Sequence, residues 1–486
     1  MRLRRRLVTG AAACALLVAT ACSTAPTRSS QPAPADWTPE TERVPLAEAT
    51  SPAEPSAQEI PAAGIPTDGI PTDGSATAER GLIAAAGPRG LRFLQPDGTD
   101  VGTFAAAQIV TQPTWSRDGR RVAATLTNPS SGDVSVAVID VTTWEVATAP
   151  AHRPYFFYTW SHDGSRLAAL GPRPAGGTAM DILDDTGAPT GATPLYSRSM
   201  FVAWEPGGDR LLLHAGPQLL LVEDPDSPDM PVDLGLAGFG FQPPSWVPGT
   251  SDFLYVDATG QFLTDTSPET LSDPDATPIP QLLRRSADTD EITNLGPVSQ
   301  FVLLAVHPDG DRAAVSLSPP ERPAPDDATL AVASQSDDGG SEPQPTGADG
   351  SVQIVDLVSA ERITVLDQTG FWLEWSPDGS HLLIAALAGE GPEGTSLAWH
   401  IWDGQRLYEL ARFLPTAAFA QNYLQFAGQY TETPRLWSPD GTAIAFGAMS
   451  STGAVGAMAR LEWIGQVTAL GPADVAFWSP VSAGSS

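Results

Sequence analysis

The chain has 486 residues, a formal net charge of −31 and no lysine, so arginine supplies all 26 basic side chains. This charge excludes nucleic acid as a partner, because phosphates need a basic face, and it opposes electrostatic adhesion to anionic lipid. The 47 prolines and 45 glycines, together with the lack of long stretches of helical periodicity, favour turn-rich β structure.

The first segment has the pattern of a secretory leader. Arg2 to Arg6 form a basic region, and the alanine-rich apolar stretch from Leu7 to Thr20 is too short to span a membrane as a helix. The sequence Ala19-Thr20-Ala21-Cys22 resembles a bacterial lipobox, although Ala19 stands where that pattern prefers leucine. The resemblance implies that residues 1–21 are cleaved, that Cys22 carries a lipid such as palmitate, and that the protein is held outside the cytoplasm at the cell membrane. An ordinary leader is the alternative, and either Sec or twin-arginine export fits.

Residues 22–79 are predicted to form a disordered tether, because they are rich in proline, alanine, serine and threonine and contain a tandem repeat from Gly64 to Gly74. Cys14 and Cys22 are the only cysteines. The mature domain is therefore predicted to contain no disulfide and no thiolate-metal site.

A tryptophan followed by a tight turn recurs along the rest of the chain. The strongest copies, Trp375–Gly379 and Trp437–Gly441, are each followed by an apolar run. Proline fixes φ, aspartate bonds its own backbone and glycine accepts a positive φ, so each copy predicts strand, turn and strand. The copies begin at Trp115, Trp160, Trp204, Trp246, Val306 in place of a tryptophan, Trp375, Trp437 and, as a fragment, Trp478.

These repeats predict an all-β, eight-bladed propeller over residues 80–481, followed by a tail of residues 482–486. Four of the intervals are close to the ~40–45 residues of a four-stranded blade. The longer ones carry insertions: an acidic stretch at 267–290, a stretch at 319–350 predicted to be disordered, and residues 414–433, whose aromatic side chains could pack or bind. Residues 474–478 are expected to pair with the strands at 82–105 and close the ring. Seven blades are the alternative.

The repeats resemble the TolB-type propeller family and its signature W-S-P-D-G-x-x-[IL]-A-F, most closely at Trp375 and Trp437. The resemblance covers about residues 80–480. It implies a lipid-tethered or periplasmic propeller that works by binding, and it does not name what is bound.

Most residues with chemical potential have a structural interpretation. The repeated tryptophans Trp115, Trp160, Trp204, Trp246, Trp375, Trp437 and Trp478 are expected to wedge between blades, and the turn aspartates to form turns. No zinc spacing, nucleophile elbow, phosphate loop or calcium loop is present in the sequence. We therefore predict no catalytic residue, no cofactor and no metal, although calcium binding by the acidic loops and a histidine site joining His162 and His307 stay open.

The connections that precede the inner strands are often aromatic, and in a propeller such connections rim one mouth of the central channel. We predict a candidate binding face there. Its residues are Tyr155, Phe156, Phe157, Phe201, Phe239, Phe241, Phe301, Phe371 and Trp372. The resulting hypothesis is a monomeric, non-enzymatic scaffold of the cell envelope that binds a protein or another ligand. The alternative is a secreted propeller lyase or hydrolase with a site at the channel mouth.

Overall fold

The computed structural model describes residues 81–237, 243–259, 279–299, 302–318, 350–391, 394–430 and 435–481. The chain divides into two units, Met1–Gly64 and Ile65–Ser486, and every described residue belongs to the second. The predicted leader, Cys22, the tether and the insertion at 319–349 lie outside the described residues. Within the described part of the chain, no helix is long and apolar enough to cross a membrane.

Eight antiparallel sheets form an eight-bladed β-propeller, which confirms the predicted fold and the count of eight rather than seven blades. Most neighbouring strands in a blade are joined by short connections rich in glycine, proline and aspartate, as strands of this length require. From the inner to the outer strand, blade 1 consists of β31 (Val475–Trp478), β1 (Ile83–Gly87), β2 (Gly90–Leu94) and β3 (Asp100–Phe104), and blade 2 consists of β4 (Ile109–Trp115), β5 (Arg121–Thr127), β6 (Val134–Asp140) and β7 (Glu145–Pro150). In the same order, blade 3 consists of β8 (Phe157–Trp160), β9 (Arg166–Pro172), β10 (Thr178–Asp184) and β11 (Leu195–Ser197), and blade 4 consists of β12 (Met200–Trp204), β13 (Leu211–Ala215), β14 (Gln218–Val222) and β15 (Val232–Leu236).

The second half of the ring follows the same order. Blade 5 consists of β16 (Ser245–Trp246), β17 (Asp252–Asp257), β18 (Gln281–Ser286) and β19 (Ile292–Pro297); blade 6 of β20 (Val302–Val306), β21 (Arg312–Leu317), β22 (Ser351–Asp356) and β23 (Arg362–Leu366); blade 7 of β24 (Gly370–Trp375), β25 (Leu382–Gly391), β26 (Gly394–Trp402) and β27 (Leu407–Phe413); and blade 8 of β28 (Ala443–Ser450), β29 (Gly453–Arg460) and β30 (Val467–Pro472). Blade 8 has a three-stranded sheet, and its inner position is taken by Leu436 and Trp437, which meet β28 through a single bridge from Trp437 to Ile444.

The ring closes as predicted, because the last strand of the chain is the inner strand of the first blade. β31 pairs with β1 in an antiparallel register from Ile83 opposite Trp478 to Ala86 opposite Val475. This pairing removes the sheet edges that the two chain ends would otherwise expose.

The two faces of the ring carry different connections. Strand positions in a blade are counted from the inner strand. The connections from position one to two and from position three to four lie on one side of the ring, which we call the turn face; in blade 1, β31 and β1 are paired but not connected. The remaining connections, including those between blades, lie on the opposite side, which we call the mouth face.

The repeated turn is fixed by its own side chains. In blade 7 the Ser376 hydroxyl donates to Asp378 Oδ1 at 2.6 Å, and Asp378 Oδ1 also accepts the Ser380 backbone N–H. Gly379 has a φ of 71°, in the left-handed region that favours glycine. The same serine-to-aspartate bond occurs at Ser116, Ser161 and Ser438. The carboxylates of these turns are therefore engaged in local backbone geometry.

Each repeated tryptophan also reaches the neighbouring blade. Six indole N–H groups donate to a backbone carbonyl of the preceding blade, and that carbonyl belongs to the residue just before the preceding blade's own tryptophan or its replacement. The bonds run from Trp115 to Phe477, Trp160 to Thr114, Trp204 to Thr159, Trp246 to Ala203, Trp375 to Ala305 and Trp437 to Glu374, at N···O distances of 2.9–3.2 Å.

Two interfaces depart from this pattern. Val306 has no side-chain donor, so the contact between blades 5 and 6 is an aliphatic cluster, with Arg362 of blade 6 donating to the Leu295 and Pro297 carbonyls of blade 5. At the closure between blades 8 and 1, the Trp478 indole N–H is buried and makes no hydrogen bond to any described residue.

Candidate functional site

The insertion between blades 7 and 8 lies on the mouth face and contains a short helical segment. It forms α1 (Ala417–Asn422) followed by a 3₁₀ helix (Leu424–Gln429), and we call residues 414–430 the plug. Thr416 begins α1 as its N-cap, because its Oγ1 accepts the Phe419 backbone N–H at 3.0 Å. The same hydroxyl donates to the Asp474 carbonyl, so the start of the plug is bonded to the connection that leads into the closing strand.

Three aromatic side chains anchor the plug over the channel. Phe419, Tyr423 and Tyr430 are 0–3% exposed. Tyr430 stacks on Trp372 of blade 7 with ring centroids 6.3 Å apart, and it packs on Phe157 of blade 3 at 5.4 Å. These three rings belong to one large core cluster that includes residues of blades 1, 2, 3, 4, 7 and 8. The plug is therefore part of the hydrophobic core and covers the channel mouth.

A strained residue holds the far end of the plug. Gln112, in the inner strand of blade 2, is buried and has a φ of 56°, which is uncommon for a residue with a side chain. Its Oε1 accepts the Tyr430 hydroxyl at 3.0 Å, and the same hydroxyl lies 3.0 Å from the Asn422 carbonyl. Burial raises the pKa of Tyr430 well above its ordinary value, so the hydroxyl stays protonated and can donate. Strain of this kind persists where surrounding structure holds it, and here the plug supplies that structure.

A buried carboxylate completes the inner position of blade 8. The two oxygens of Glu374 accept the Leu436 backbone N–H at 3.1 and 3.2 Å, and one of them accepts the Trp372 indole N–H at 3.0 Å. Glu374 thus satisfies a backbone donor that the incomplete strand of blade 8 leaves outside the ladder. Burial raises the pKa of this carboxyl, although Arg435 and the hydrogen bonds act in the opposite direction.

The predicted aromatic face is mostly buried. Tyr155, Phe157, Phe201 and Trp372 are 1–5% exposed, whereas Phe156 is 43% exposed and Phe371 is half-buried. Phe239, Phe241 and Phe301 lie outside the described residues. Trp372 and Phe157 are covered because the plug lies on them, so neither is presented to solvent.

Tyr155 is buried for a different reason, since it belongs to a polar network at the edge of blade 3. Its hydroxyl donates to Asp181 Oδ2 at 2.9 Å, and the same carboxylate accepts Arg153 Nε at 2.7 Å. Burial raises the pKa of Tyr155, so the phenol remains a donor. Arg153, Asp181 and Tyr155 therefore satisfy one another inside the protein.

The remaining candidates have local partners. His307 is buried and lies 2.9 Å from Arg312 and 3.0 Å from the Gly379 carbonyl, while His162 is exposed. In the acidic stretches, Asp226 pairs with Arg166 and Asp288 with Arg210. Among the described residues, no group of three or more His, Cys, Asp or Glu side chains could hold a metal ion.

The sequence patterns pointed to residues 414–433, which contain the plug, as an aromatic insertion that could pack or bind, but they singled out neither Gln112 nor Glu374. One signal was available: no charged residue occurs between Arg412 and Glu432, which is unusual in a chain with 17% charged residues. The seven repeated tryptophans are all buried, at 0–5% exposure.

Comparisons with known proteins agree on the fold. The chain matches no protein-family model and no curated protein sequence. Among solved structures, it is similar to dihydro-heme d1 dehydrogenase NirN in complex with DHE, with 13% identity over 85% of this chain and 78% of that chain and a TM-score of 0.52. TolB from Acinetobacter baumannii has 12% identity over 85% of this chain and 68% of its own, with a TM-score of 0.35. Oligogalacturonate lyase in complex with manganese has 13% identity over 73% and 98%, with a TM-score of 0.39.

Identities this low bear on the fold alone, and these neighbours have different activities. They favour neither a binding protein nor an enzyme for this chain.

Proposed function

We propose that the protein is a non-enzymatic binding scaffold of the cell envelope, held outside the cytoplasm by a lipid on Cys22, and that it binds a protein partner with the outer surface of the plug. The sequence of residues 1–22 supports the location, since it combines a basic region, an apolar stretch and a lipobox-like cysteine. The lipid, the location and the partner are parts of this proposal.

One observation carries the binding role: the plug fills the channel mouth with packed aromatic rings and leaves an uncharged surface outside. Its exposed residues are Ala417, Gln421, Gln425 and Phe426, and Phe426 is 41% exposed. Phe156, also exposed, precedes Phe157, which packs on Tyr430 of the plug. The cores of protein interfaces are depleted of charge and enriched in aromatic residues, which is the composition of this surface.

The packed plug also explains why we favour binding over catalysis at this mouth. The volume in which a channel-mouth enzyme would hold its substrate is occupied here by the Phe419, Tyr423 and Tyr430 rings. A partner can reach the rim and the outer side of the plug without displacing any of them.

The test is affinity capture from intact cells after chemical cross-linking, comparing the wild-type protein with Phe426→Ala. We expect Phe426→Ala to lose the captured partner, because truncating an aromatic hot spot at the centre of an interface costs about 2 kcal/mol or more. The matched control is Ile464→Ala, which truncates a 58% exposed side chain on the turn face and should leave capture unchanged. Equal capture by all three proteins would contradict the proposed face.

The anchor is tested separately with Cys22→Ser. We expect this variant to leave the membrane fraction and to incorporate no radiolabelled palmitate. Unchanged membrane association would remove the lipid anchor from the proposal and leave the binding face untouched.

A further inference from the structure

The mouth face of blade 3 carries a cationic patch in a strongly acidic protein. The three connections at this place, 151–156, 173–177 and 198–199, contain Arg153, Arg173 and Arg198 and no carboxylate. In the described turns of the turn face, by contrast, carboxylates outnumber arginines severalfold. The local charge of this patch is therefore opposite to the net charge of −31.

Two of these arginines are not neutralised by the protein. Arg153 is paired with Asp181, but Arg173 and Arg198 are exposed and form no ion pair among the described residues. Most other described arginines do pair with a carboxylate, as Arg166 does with Asp226 and Arg284 with Asp252. With carboxylates more than twice as numerous as arginines in the chain, two neighbouring arginines left without one are available to an outside partner.

The two arginines are held close together. Arg173 donates its backbone N–H to the Gly177 carbonyl at 3.0 Å. Gly177 in turn lies against Arg198, whose Cα would be 3.4 Å from a Cβ at residue 177. Gly177 has a φ of 87° and its ideal Cβ position lies 2.5 Å from the Ser197 carbonyl oxygen, so only glycine allows this approach.

Exposed aromatic rings flank the arginines. The Arg173 guanidinium lies over the Tyr196 ring at 4.5 Å from its centroid, and Tyr196 is 48% exposed. This contact fixes the guanidinium plane and leaves its edge free to donate to a carboxylate.

Phe156 stands at the inner end of the same blade. It directly precedes the inner strand β8, where its backbone N–H donates to the Leu170 carbonyl at 2.9 Å, whereas Tyr196 belongs to the outer strand β11. Three strand spacings separate them, or about 14 Å, which an extended peptide spans with about four to five residues.

We propose that this patch, formed by Phe156, Arg173, Tyr196 and Arg198, binds an extended acidic segment of a protein partner that also carries aromatic or apolar side chains. The arginines pair with its carboxylates, and the exposed rings contact the side chains between them. A phosphate or other compact anion fits less well, because it would leave the exposed Tyr196 and Phe156 rings without a contact. The inference rests on the proposed binding role and names the chemistry of the partner.

The test uses fluorescence anisotropy with a labelled peptide of alternating glutamate and tyrosine, and a second peptide in which glutamine replaces glutamate. We expect the glutamate peptide to bind and its affinity to fall as the salt concentration is raised. Its affinity should also fall about tenfold in the double variant Arg173→Gln/Arg198→Gln. The control is Arg406→Gln, which removes an exposed arginine from a turn-face connection and should leave affinity unchanged.

The outcomes separate this inference from the proposed function. Absence of peptide binding, equal binding of both peptides, or equal loss in Arg406→Gln would overturn the acidic-peptide patch. Binding of heparin or polyphosphate in place of the peptide would also overturn it, in favour of a different polyanion. In each case, loss of partner capture in Phe426→Ala would still support the plug as the binding face.

Discussion

The indole bonds between blades give a prediction with a built-in control. Trp160 and Trp478 stand at the same position of their repeats and are both buried, at 0% and 2% exposure. The Trp160 indole donates to the Thr114 carbonyl at 3.1 Å, whereas the Trp478 indole N–H has no partner in the part of the chain that the structure describes. Replacing each with phenylalanine removes a similar volume, but only Trp160→Phe breaks a hydrogen bond.

The expected difference follows from that contrast. The lost ring atoms and the cavity they leave cost about 1–3 kcal/mol at either site. Trp160→Phe also loses a buried hydrogen bond worth about 0.5–1.5 kcal/mol, and Trp478→Phe removes an unpaired buried N–H that costs about 1–3 kcal/mol. We therefore expect Trp160→Phe to be the more destabilising substitution by about 2 kcal/mol.

The assay is urea unfolding of the two variants and the wild type, followed by far-UV circular dichroism. The midpoints are comparable as long as the dependence on urea concentration keeps the same slope. A loss of stability in Trp478→Phe equal to or greater than that in Trp160→Phe would refute the view that these bonds join the blades.

Three further predictions concern the plug, the buried carboxylate and the turns. Tyr430→Phe should lower the free energy of unfolding by about 1–2 kcal/mol, because the Gln112 side chain loses its partner. Tyr423→Phe should cost less, since the buried Tyr423 hydroxyl has no side-chain hydrogen bond among the described residues; urea titrations of the two variants decide this, and equal effects would contradict it. Burial raises the pKa of the Glu374 carboxyl in the folded protein above its ordinary value of 4.5, so the wild type loses stability as the pH rises through that raised pKa. Glu374→Gln should remove this pH-dependent loss. Melting temperatures of both proteins between acid and neutral pH test the prediction, and parallel curves would count against it. The hydrogen bond from Ser376 lowers the pKa of Asp378, so the stability that the Asp378 carboxylate contributes is present at neutral pH and is lost as the pH falls through the lowered pKa. Asp378→Ala should therefore lower the free energy of unfolding by about 1 kcal/mol at neutral pH and by less in acid. A cost that does not change with pH would argue against this role.

The fold could be predicted from the sequence because its determinants are local and repeated. Each turn is built from adjacent serine, aspartate and glycine residues, and its recurrence fixes the number of blades. The closing pair followed from counting strands at the two ends of the chain, and β31 pairs with β1 as expected. Val306, which replaces a tryptophan, still begins a repeat, because its turn supplies the same backbone geometry.

The candidate site was harder to predict because it depends on contacts between distant residues. Tyr430 meets Gln112 across 318 positions of the chain, and no periodic pattern reports such a pair. Aromatic residues before an inner strand indicate a channel mouth, but they do not reveal whether another segment covers it. Here the plug covers Trp372 and Phe157, and the exposed members of the set are Phe156 and, in part, Phe371.

The most direct test of the proposed function is site-specific photo-crosslinking in intact cells from two exposed glutamines. A photoreactive residue at Gln425 samples the plug surface, and one at Gln405 samples the turn face. We predict a discrete crosslinked partner from position 425 and none from position 405. Crosslinking of the same partner from position 405 alone, or from both positions equally, would contradict a scaffold that binds through its plugged mouth.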